Sequence, residues 1–99
     1  LSGGNQQKVV IAKWLAKNCK ILLFDEPTRG IDVAAKAQIW KLISEFTRDG
    51  GSVIVASNEI PELINNCNRI ITMQKGKINK IFSHSQFNEQ EISLNISSR

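Results

Sequence analysis

Ile21-Leu22-Leu23-Phe24-Asp25-Glu26-Pro27 is the stretch from which the class of this chain follows. Four apolar residues stand in a row, then two acids, then a proline. An unbroken apolar run of this length suits a strand buried on both faces, as in a parallel sheet. Proline has no N–H for a ladder, so the strand ends there. The acids then sit at the strand's carboxyl end, where open α/β sheets place their ligands. A carboxylate on a rigid strand tip can reach a magnesium ion directly or through water. A second carboxylate beside it, in a water-poor place, can polarise an attacking water.

Upstream lies Leu1-Ser2-Gly3-Gly4-Asn5-Gln6-Gln7-Lys8. Two successive glycines let the backbone approach a ligand closely, and the N–H groups that start a helix suit a phosphate. Ser2 is a candidate N-cap whose hydroxyl can instead face a phosphate. Val9, Ala12, Leu15 and Ala16 recur at helical spacing without Pro or Gly between them, which predicts a helix over residues 5–17.

Downstream of the acids, a strand is expected over residues 20–24 and a loop over 28–32, in which Gly30 permits an unusual backbone angle. Asp32 is placed to cap a helix over residues 33–48 with Ile39, Leu42, Ile43 and Phe46 on its apolar face and Trp40 at the margin. Gly50 and Gly51 stop it, and residues 52–56 form a second buried strand. Strand, helix, strand over this length is one right-handed βαβ unit. A short helix over 60–66 follows, with Pro61 in its first turn. A strand over 69–73, a Lys75-Gly76 turn, a partner strand over 77–82 and a helix over 86–94 complete the expected elements. Ser97-Ser98-Arg99 is expected to fray.

Ninety-nine residues bound one small domain, residues 1–99, of ordinary globular composition. No apolar run approaches the roughly 18–20 residues that cross a bilayer, and no secretion pattern opens the chain, so a membrane link is expected through a partner. The net charge of +4 is spread along the chain and only 6% of residues are aromatic. A nucleic-acid surface would show a basic stripe with interleaved rings, so no nucleic acid is expected as partner. Cys19 and Cys67 lack metal-ligand spacing and are expected as reduced cytosolic thiols. His84, the one histidine, is expected at the surface.

Together the two segments resemble the ATP-binding cassette family. Leu1-Ser2-Gly3-Gly4-Asn5-Gln6-Gln7 looks like its signature loop, residues 21–26 like its Walker B strand, and Arg29-Gly30-Ile31-Asp32 stands where its D-loop stands. Asn5-Gln6-Gln7-Lys8, taken with residues 27–33, is similar to the second cassette of the fused double-cassette ATPases of bacterial sugar importers. The resemblance covers residues 1–76.

The resemblance implies an α/β, three-layer P-loop NTPase fold. No Gly-x-x-x-x-Gly-Lys-[Ser/Thr] occurs, so the loop that cradles the β- and γ-phosphates is absent from these residues. In the family that loop lies upstream of the signature, so residues 1–99 look like the C-terminal part of a cassette. The expected cofactors of the parent are ATP and Mg²⁺. By resemblance, Asp25 holds Mg²⁺ and Glu26 is the general base. Leu1, Ser2, Gly3, Gly4 and Gln6 belong to the signature that reads nucleotide held by a second cassette. Asp32 sits at the cassette interface, and as plain chemistry it is an N-cap; both can hold. Lys8 reads as a solvated charge.

Asn58 departs from the family, which usually has a histidine here against the γ-phosphate. An amide can donate one hydrogen bond to a phosphate but cannot carry charge or shuttle a proton. The expectation is slow hydrolysis or none at the site of Asp25 and Glu26, even in the full protein; the alternative is that Asn58 only caps the Pro61 helix. The expected partners are membrane permease subunits and a second cassette, at the cytoplasmic face of the cell membrane. The isolated chain is expected to be inactive. It would also lack the family strand that lies between the second and third strands, so self-association or a rearranged sheet is expected. Two other classes stay open: a soluble cassette protein of translation or DNA repair, and a non-catalytic interaction module.

Overall fold

The computed structural model describes residues 3–96. Leu1, Ser2 and the tail expected to fray lie outside the described residues. The chain divides into two compact units between Ser57 and Asn58.

The first unit runs α1 (Gly3–Leu15), β1 (Ile21–Asp25), α2 (Val33–Arg48) and β2 (Ser52–Ala56). In α1, Gly4 and Ile11 are buried, two turns apart on one face, and that helix packs against α2. Asp32 caps α2: its Oδ1 accepts a hydrogen bond from the Ala35 N–H at 2.9 Å. The helix buries Ala35, Ile39, Trp40 and Ile43 at a three- and four-residue spacing. Ile39 is 0% exposed, and burying such a side chain contributes about 1.5–3 kcal/mol. Gly50, at φ 104°, adopts the left-handed backbone that ends the helix. β1 and β2 then pair in parallel from Ile21↔Ser52 to Asp25↔Ala56, which completes the β-α-β unit.

Two expectations change here. Trp40 is not marginal but part of the core, 8% exposed. β1 is buried on one face only: Leu22 is covered, whereas Ile21, Leu23 and the neighbouring Ile54 are each more than half exposed. The physical reason is the layer count. Helices cover the face bearing Leu22, Val53 and Val55, and no described residue covers the other.

The second unit contains α3 (Ile60–Asn66), β3 (Arg69–Gln74), β4 (Lys77–Ser83) and α4 (Glu89–Leu94). Pro61 lies in the first turn of α3, where a missing N–H leaves no bond unmade. Cys67 closes that helix; burial, and then the Glu62 carboxylate, push its thiol up, so it stays protonated and inert. Cys19 is also a free thiol, and exposed. β3 and β4 form an antiparallel hairpin across Lys75 and Gly76, whose φ values of 51° and 76° have the sign a type I′ turn requires. Ile70 and Phe82 pair across the buried face of the hairpin. α3 and α4 pack together, with Leu63 and Ile92 buried.

The helix expected over residues 86–94 starts later, at Glu89. A 3-10 turn, His84–Gln86, is followed by α4, because the Asn88 side chain accepts from the Glu91 N–H at 3.0 Å and starts a new helix. Among the described residues both sheets have two strands, so each strand keeps one unpaired edge.

Candidate functional site

β1 delivers Asp25 to its carboxyl end, opposite Ala56 and exposed. The Glu26 N–H donates to the Ala56 carbonyl at 2.8 Å, so the ladder runs one residue past the strand. Glu26 is half-buried, and its φ is +50°. That left-handed backbone costs a residue with a Cβ about 1–2 kcal/mol. Pro27 disfavours the right-handed alternative for the residue before it. The chain then turns, with the Arg29 N–H donating to the Glu26 carbonyl and the Ile31 N–H to the Thr28 carbonyl, both at 3.3 Å. Pro27 and Thr28 are buried inside this turn.

α1 is built onto that turn. Gln7 Nε2 donates to the Pro27 carbonyl at 2.9 Å, and Lys8 Nζ donates to Gln38 Oε1 on α2 at 2.8 Å. Lys8 is therefore tied to α2 rather than simply solvated. The two glycines at the start of α1 have different surroundings. A Cβ on Gly4 would lie 2.6 Å from the Ala35 Cβ, 3.3 Å from Ile31 Cγ2 and 3.4 Å from Asp32 Oδ2. A Cβ on Gly3 would meet nothing within 4 Å. Gly4 thus lets α1 approach the start of α2, while the space beside Gly3 is open. Gln6 is exposed.

The first unit contains Gly3, Gly4, Asp25, Glu26 and Asp32: Gly4 lies near Asp32 where α1 packs on the start of α2, and Asp25 and Glu26 stand at the carboxyl end of β1. Leu1 and Ser2, also expected in the site, lie outside the described residues. Asn58 is exposed, two residues beyond the end of β2, in the second unit. Its side chain does not cap α3: the N-cap is Glu59, without a side-chain cap bond, and Asn58 contributes its carbonyl to the Ile60 N–H at 3.1 Å. His84 is exposed, its ring 5.2 Å from that of Phe87. Gln7 stands within the opening motif with no role that the sequence alone assigns. The available signal was spacing: residues 4, 7, 8 and 11 share one helical face, and two of them are a glycine and a buried isoleucine.

Among the described residues no three His, Cys, Asp or Glu side chains cluster as a metal cage. Magnesium does not need one, since it takes one or two carboxylates and completes its shell with phosphate and water. An exposed Asp25 on a strand tip, with Glu26 next to it, fits that demand.

A parallel β-α-β unit with an acidic pair at the end of its first strand, and a glycine-opened helix tied to the turn that follows, has the layout in which open α/β sheets place ligands at the carboxyl ends of their strands. A family sequence model described as ABC transporter matches residues 1–29. The ribose import ATP-binding protein of Rubrobacter xylanophilus is 49% identical over 92 residues, which are 93% of this chain and 19% of that protein. The galactose/methyl galactoside import ATP-binding protein of Clostridium perfringens strain SM101 is 51% identical, over 93% of this chain and 18% of its own length. Among solved structures, a metal-chelate type ABC transporter in an inward-facing conformation aligns with TM-score 0.81 at 23% identity, over 96% of this chain and 39% of its own. An ATP-binding cassette dimer bound to ADP and Pi aligns with TM-score 0.73 at 34% identity, over 88% of this chain and 38% of its own. The chain belongs to the ATP-binding cassette family and has its P-loop NTPase fold. It spans about a fifth of the length of the curated relatives it matches.

Proposed function

We propose that residues 1–99 form the C-terminal part of one cassette in the ATP-hydrolysing subunit of a bacterial sugar importer, whose parent couples ATP binding and hydrolysis to sugar uptake. The observation that carries this is the identity of about half, over 93% of the chain, with ribose and galactose import ATP-binding proteins. Asp25 would hold Mg²⁺, which when bound supplies positive charge against the phosphates. The Glu26 carboxylate would accept the proton of the attacking water. Leu1, Ser2, Gly3, Gly4 and Gln6 would face the nucleotide of a second cassette, with Asp32 at the interface between the two. No helix among the described residues is long and apolar enough to cross a membrane. By its likeness to import ATP-binding proteins, the parent would meet permease subunits at the cytoplasmic face of the membrane.

The test compares this chain with the same sequence extended upstream through the next glycine-rich phosphate loop. Only the extended protein is expected to bind and cleave ATP. The short chain is expected to sediment above its 11.1 kDa, since its strand edges are open. ATP cleavage by the short chain would refute the assignment of its phosphate site, and a monomer would refute the edge pairing.

Asn58 supports a further expectation. In the full-length protein, Asn58→His is expected to raise ATP turnover by roughly tenfold or more, because an imidazole adds charge and proton transfer where an amide offers one donor. Steady-state phosphate release measures it. Unchanged turnover would show that Asn58 does not limit the site.

A further inference from the structure

We propose that Gln7 is a positioning residue for Glu26: its side-chain amide holds the Pro27 carbonyl and so fixes the left-handed turn that carries the Glu26 carboxylate. The inference rests on the reading of Glu26 as the base, and adds a residue on another element to that site. Three observations carry it. Glu26 has a φ of +50°, a conformation that persists in a residue with a Cβ only where its neighbours over-determine it. The residues after it, Pro27 and Thr28, are buried, so a shift of the turn would disturb packed atoms. The Pro27 carbonyl accepts from Gln7 Nε2 at 2.9 Å, across twenty residues of sequence.

The backbone bonds at Glu26 fix the turn from two sides. The Glu26 N–H is held to Ala56 of β2, and the Glu26 carbonyl to the Arg29 N–H within the turn. The second bond closes a four-residue turn around the peptide between Pro27 and Thr28, but neither bond is made to the Pro27 carbonyl itself. Gln7 restrains it from α1, a helix itself anchored by Gly4 against Ala35 and by the buried Ile11. Losing that donor leaves a buried carbonyl without its partner and frees the peptide next to the base. A carboxylate displaced by a fraction of an ångström loses much of its effect on a proton transfer while nucleotide contacts made elsewhere persist.

The experiment is steady-state ATPase kinetics on the full-length protein. Gln7→Met keeps the length of the side chain and removes the donor. It is expected to lower kcat about tenfold, with the KM for ATP within about twofold of the parent value. Gln7→Lys, which returns an N–H donor on a longer stem, is expected to recover most of the loss. An unchanged kcat in Gln7→Met overturns the proposal. So does a fall in ATP affinity alongside kcat in both variants, or an insoluble Gln7→Met, since either assigns Gln7 to the packing of α1. Glu26→Gln is measured beside them. If it retains turnover, the base assignment fails and Gln7 has nothing to position. If it abolishes turnover while Gln7→Met does not, only the inference about Gln7 fails.

Discussion

Glu26→Gln in the full-length protein is expected to lower ATP turnover by about 10²–10⁴-fold, the range that a positioned general base contributes, while nucleotide binding is kept. The substitution changes one oxygen to an amide nitrogen. Such a side chain is nearly the same shape but cannot take a proton from water at neutral pH. It leaves the local fold alone, because the bonds that hold residue 26 are made by its backbone: its N–H to Ala56 and its carbonyl to Arg29. Glutamine pays the same left-handed cost as glutamate, so the turn at φ +50° is not relieved. A large loss of turnover with unchanged melting temperature and ATP affinity therefore reports chemistry rather than folding. Phosphate release and nucleotide titration on the same preparation give both numbers. Turnover within about threefold of the parent would remove Glu26 from the mechanism.

Much of this arrangement can be read before any coordinates are known, and the parts that cannot share a physical cause. Ile21 to Phe24 announces a strand because no polar residue interrupts it, and Asp32 announces a helix start because its side chain is suited to the orphan N–H groups there. These signals are local, and β1, α2 and β2 fall where they point. An apolar run states what can be buried but not what covers it, so the exposure of Ile21 and Leu23 could not be foreseen. The burial of Trp40 is hidden for the same reason, since it depends on what packs against α2. The φ of Glu26 is a tertiary property: it needs Ala56 on another strand to take its N–H, and Pro27 locked from α1. Asn88 shows local competition instead: a cap residue inside the expected helix delays its start to Glu89.

The two glycines of the opening motif make a second strong prediction, because sequence treats them alike and the structure does not. Gly4→Ala would set two backbone-fixed Cβ atoms 2.6 Å apart, the new one and that of Ala35, and neither can rotate away. α1 and α2 must separate, a strain of about 1–3 kcal/mol. That movement would also pull Gln7 from Pro27 and displace the start of α1. Gly4→Ala in the full-length protein is therefore expected to lower both the melting temperature and ATP turnover, the latter by about 10²-fold if the site shifts by an ångström. Gly3→Ala meets nothing within 4 Å, so it is expected to leave the fold intact and even to favour the helix by a fraction of a kcal/mol. Any loss of turnover it causes then belongs to a ligand rather than to packing. Ala35→Gly supplies the control, since it removes the facing Cβ. Combined with Gly4→Ala it should restore more stability than the sum of the two single changes allows, as contacting residues do in a double-mutant cycle. Strict additivity would mean that α1 and α2 are not held at this contact, and the placement of Gln7 over the Pro27 carbonyl would lose its support.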